Sequence, residues 1–60
     1  MIEDEISAIA RHMIAKYGAE RAIEIASGYA AGFYFHLTKE GQKYWRQIEE
    51  KIKELRKTDG

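Results

Sequence analysis

Apolar residues recur along the first third of the chain at Ile2, Ile6, Ile9, Met13 and Tyr17, at steps of four, three, four and four. That period places them on one face of an α-helix. Ala10 and Ile14 widen the stripe, and the spacing predicts a helix over 2–17. Glu3, Asp4 and Glu5 fall in its first turn and Lys16 in its last, both favourable to the helix dipole. Gly18 follows the last periodic residue, where a left-handed C-terminal cap is expected.

A second helix is predicted over 19–37. Ala19, Ile23, Ala26, Ala30, Phe33 and Leu37 form a heptad-like seam, and Ala22, Ile25, Tyr29, Gly32 and His36 a second stripe beside it. Charges occur only at Glu20, Arg21 and Glu24. The C-terminal half is therefore apolar nearly all round, the mark of a central, buried helix. Ala22 and Ala26, and likewise Gly28 and Gly32, recur at spacing four, which lets another helix approach closely. Residues 32–38 are also rich in strand formers. No second strand exists to pair with them, so the helical reading is kept.

The third helix is predicted over 39–57. Thr38 is placed to cap it. Gly41, Trp45, Ile48, Ile52 and Leu55 make its stripe, with Tyr44 alongside and charged residues elsewhere. Glu49 and Lys53 form an (i, i+4) pair in the favourable order. Residues 58–60 are expected to fray. Three helices with short links predict an all-α three-helix bundle occupying 1–57 as one domain. Its expected core is Ile6, Ile9, Met13, Ile23, Ala30, Phe33, Trp45, Ile48, Ile52 and Leu55.

The run Tyr17-Gly18, the Ala-rich second helix, and the Gly41/Trp45/Ile48 spacing followed by a charged tail resemble a group of short bacterial and prophage proteins. That resemblance implies a three-helix fold and a phage-type origin. It carries no activity, because the group has none assigned. Members usually have more acidic residues at the second turn than this chain has.

A chain of 60 residues hides only about 60 % of its unfolded surface. Domains of this size often need disulfides, a metal, self-association or unusually regular packing. The sequence has no Cys, which removes disulfides and thiolate metal sites. Ten basic and ten acidic residues sum to zero, so no global field draws the chain to nucleic acid or to an anionic membrane. By segment the charges are +2 and −3 over 1–18, +1 and −2 over 19–37, and +7 and −5 over 38–60. No basic leader or 20-residue apolar run is present, so a cytoplasmic location is the default.

Chemistry-bearing patterns are sparse. His12 and His36 do not make the three or four ligands of a zinc site. The carboxylates Glu3, Asp4, Glu5, Glu20, Glu24, Glu49, Glu50 and Glu54 read as a solvated face, because acid-pair catalysis needs a cleft. No nucleophile elbow or phosphate-binding glycine loop occurs. No enzyme activity, cofactor, metal or small-molecule substrate is expected.

Lys39, Lys43, Arg46, Gln47 and Lys51 could face DNA as a helix-turn-helix would. Glu40, Glu50 and Glu54 interleave with them, and nucleic acid is expected not to bind. The aromatic cluster is the more informative feature. Phe33, Tyr34 and Phe35 point about 100° apart on a helix, so one core cannot cover all three. The expectation is a protein–protein interaction module, most simply a homodimer. Its contact face would be Ala22, Ala26, Gly28, Tyr29, Gly32, Phe35 and His36. The alternatives are an adaptor or inhibitor of a host complex and a small DNA-binding regulator.

Overall fold

The computed structural model describes residues 4–32 and 38–59. They form α1 (Glu5–Tyr17), α2 (Ala19–Ala30) and α3 (Lys39–Asp59). Each helix packs on both others, so the fold is a small all-α three-helix bundle. Glu20 at the start of α2 accepts from the Arg56 guanidinium near the end of α3 at 3.0 Å. Tyr29 near the end of α2 stacks on Trp45 near the start of α3. These two helices therefore run antiparallel.

Asp4 decides where α1 begins. Its carboxylate accepts from the Ser7 N–H at 2.7 Å, and its carbonyl accepts from the Ala8 N–H at 3.1 Å. Asp4 is thus the N-cap, with extended backbone, and the helix starts three residues later than the stripe from Ile2 suggests. The bonds from Ser7 favour the charged carboxylate and hold it below the usual Asp range. Ser7 itself is buried. Thr38 caps α3 as expected: its hydroxyl accepts from the Gly41 N–H at 3.1 Å. That helix runs on to Asp59, two residues past the predicted end.

Gly18 belongs to two helices at once. Its N–H donates to the Ile14 carbonyl at 2.8 Å, closing α1, and its carbonyl accepts from the Ala22 N–H at 2.9 Å, opening α2. Its φ of 86° and ψ of 154° lie outside the left-handed helical region expected of a C-cap. They fall in a region essentially reserved for glycine.

The predicted helix over 19–37 is corrected: α2 ends at Ala30. Ala31 closes it through its N–H to the Ser27 carbonyl at 2.9 Å, and Gly32 then takes a φ of 82°. Positive φ leaves the right-handed helix, so Gly32 serves the chain's exit and not a close contact within a helix. Phe33, Tyr34, Phe35, His36 and Leu37 lie outside the described residues.

Ala10, Ala22 and Ala26 at the centre of the core are wholly buried, together with Ile48 and Ile52 from α3. Met13 and Ala30 are buried as well. Packed against this centre but only partly covered are Ile6, Ile9, Ile14, Ile23, Ile25, Tyr44, Trp45 and Leu55. The buried line of α2 is Ala22, Ala26 and Ala30, which runs between the two stripes read from the sequence. Glu20, Arg21 and Glu24 give the N-terminal half of α2 an exposed polar side.

Two expected outcomes follow from the caps. Replacing Gly18 destabilises by about 1–3 kcal/mol through backbone strain. A Cβ there would meet nothing within 4 Å, so Gly18→Ala and Gly18→Ser should lower the thermal midpoint equally; an unchanged midpoint would refute the strain. Asp4 has a depressed folded-state pKa, so its stabilisation is present above the unfolded value of about 3.9 and is lost as pH falls through the lower folded one. Thermal midpoints against pH should show this acid limb in the parent and not in Asp4→Ala, which should also melt earlier at neutral pH.

Candidate functional site

The residues expected to form a contact face separate into three groups. Ala22 and Ala26 have no exposed surface: helix packing within the chain already uses them. This corrects their assignment to an interface. The physical reason lies in the small side chains, which give the closest backbone approach, and the chain's own helices occupy it. Gly28, Tyr29 and Gly32 keep part of their surface at the C-terminal end of α2. Phe35 and His36 lie outside the described residues.

The end of the bundle that carries Gly28, Tyr29 and Gly32 is aromatic. The Tyr29 and Trp45 rings stack with centroids 4.5 Å apart and planes 19° off parallel. Trp45 reaches this position because the stripe of α3 turns it toward α2. The Gln42 side chain packs over Gly32, where a Cβ would stand 3.2 Å from its amide nitrogen. Tyr44 lies on the α1 side of α3. Partial burial pushes its phenol up, and a hydrogen bond to Glu5 adds to the shift. At the opposite end Tyr17 is 44 % exposed, with the Lys16 ammonium 5.4 Å from its ring centre.

Of the expected core, Met13, Ala30, Ile48 and Ile52 are buried, whereas Ile6, Ile9, Ile23, Trp45 and Leu55 are half-covered. Phe33 lies outside the described residues. Ala10, which the sequence shows only as a widening of a stripe, has no exposed surface. That it shares one buried cluster with Ala22 and Ala26 of α2 is a tertiary fact. His12 is exposed on the outer side of α1. Among the described residues no three His, Cys, Asp or Glu side chains gather as a metal site would require. Every buried side-chain polar atom among them has a hydrogen-bond partner. No helix among them is long and apolar enough to cross a membrane.

Fold and surface together define a small three-helix protein with an aromatic end and charged outer faces. The chain matches no protein family, no curated protein and no solved structure. The likeness to short phage-type proteins therefore rests on the sequence pattern alone.

Enlarging Ala26 tests the placement of the alanine line. Ala26→Leu should cost about 1–3 kcal/mol by overpacking, read as a lower denaturation midpoint in urea. A neutral result would put Ala26 back on an outer face.

Proposed function

We propose that this chain is a non-enzymatic protein–protein interaction module that associates with a second copy of itself. The observation that carries the reading is the thinness of the core. Among the described residues, only Ile48 and Ile52 of the large side chains are completely buried. Eight larger apolar residues around the core are only partly covered.

The contact is assigned to the C-terminal end of α2, through Gly28, Tyr29 and Gly32. Phe35 and His36 are added on the strength of the sequence alone. Tyrosine suits such a place, because its ring supplies apolar area while its hydroxyl stays hydrated. Alanines 22 and 26 have no part in this contact.

Light scattering on a sizing column, over about a hundredfold dilution, tests the reading. The expected result is a mass of two chains that falls toward one on dilution, with Phe35→Ala shifting the transition to higher concentration. A single-chain mass throughout, with a thermal midpoint independent of concentration, would overturn it.

A further inference from the structure

The sequence interleaves acidic and basic residues along α3, and the fold sorts them. At 100° per residue, Lys39, Lys43, Arg46, Glu50, Lys53 and Lys57 fall within about 40° of the direction opposite the buried Ile48. All six are exposed. They make a straight ridge about 27 Å long at 1.5 Å per residue, with five cations and one anion. Lys39, Lys43, Arg46 and Lys57 have no ion pair among the described residues, and Lys53 is held by Glu49 at 3.1 Å. Lys51, which the sequence would group with them, turns toward α1. Its side chain is 28 % exposed and pairs with Glu54 at 3.5 Å, and its charge acts on Asp4.

We infer that this outward ridge of α3 is a docking strip for the phosphate backbone of duplex nucleic acid, recognised by charge and not by base sequence. Zero net charge supplies no long-range attraction, so the proposal rests on the basic side chains clustered along this one face. A duplex carries one phosphate charge about every 1.7 Å of its axis, a density of anions that the cations of the ridge complement. Four of its five cations are lysines, flexible point charges that follow a backbone without the fixed geometry of base readout.

Charge complementarity also discriminates between partners. The ridge has no apolar residue, so it lacks the wedge that a membrane-surface helix inserts. An acidic protein would gain only exposed ion pairs there, which contribute little. Nucleic acid differs because counterion release supplies affinity without apolar contact. The ridge faces away from α2, so docking there is independent of self-association.

Fluorescence anisotropy of a labelled random duplex of about 20 base pairs, titrated with the whole protein from low to high salt, tests the proposal. The expected result is binding at low salt that weakens more than about a thousandfold for a tenfold rise in salt, as about four phosphate contacts require. Lys43→Gln combined with Arg46→Gln should roughly halve the slope of log affinity against log salt. Glu50→Gln should tighten binding, and Arg21→Gln, off the ridge, should change neither. Far-UV circular dichroism of each variant confirms the helices. Three outcomes would overturn the proposal: no binding at the lowest salt, a slope unmoved by the double variant, or equal binding of poly-glutamate or anionic vesicles.

Discussion

Alanine at the point where the helices meet is the constraint on which the other features depend. Ala10, Ala22 and Ala26 have no exposed surface and stand where larger side chains would hold the helices apart. Close approach lets Ile48 and Ile52 of α3 be covered completely. It also limits what the core can contain. A centre filled by methyl groups leaves little depth for the branched side chains around it, and Ile6, Ile9, Ile14, Ile23, Ile25 and Leu55 are only partly buried. The modest core and the apolar surface proposed to meet a second copy therefore have one cause.

Such close packing requires abrupt reversals, and glycine supplies them. Gly18 joins α1 to α2 with no further linker residue, which its φ of 86° makes possible. Gly32, two residues past the end of α2, also takes a positive φ, of 82°. Side-chain caps take over where the backbone is ordinary: Asp4 at α1 and Thr38 at α3. The ends of α2 and α3 are then fixed across the bundle by different forces. One is the Arg56–Glu20 ion pair, exposed and of small value. The other is the Tyr29–Trp45 stack, which also buries ring area.

Electrostatics follows from the same geometry. A chain of zero net charge offers no attraction at long range. Once α3 has turned Ile48 inward, however, its outer ridge gathers cations while Glu49 and Lys51 move to its sides. Local charge thus arises by sorting, with no excess in composition.

Helical periodicity determined most of the architecture by itself. Steps of three and four identified three helices, and Met13, Ala30, Ile48 and Ile52 stood out as apolar positions on their inner faces. The N-cap at Thr38 was legible because its hydroxyl acts on a neighbour three residues away, a local interaction. The end of α2 was not legible: Gly32 fits a helical stripe in the sequence as well as it fits the positive φ it takes in the structure. Nor was the role of Ala22 and Ala26. Small residues at spacing four announce a close contact without naming the partner, and the tertiary structure gave that contact to the chain's own helices. Periodicity records which side of a helix is apolar; what covers that side is set by neighbours distant in sequence, and only packing decides it.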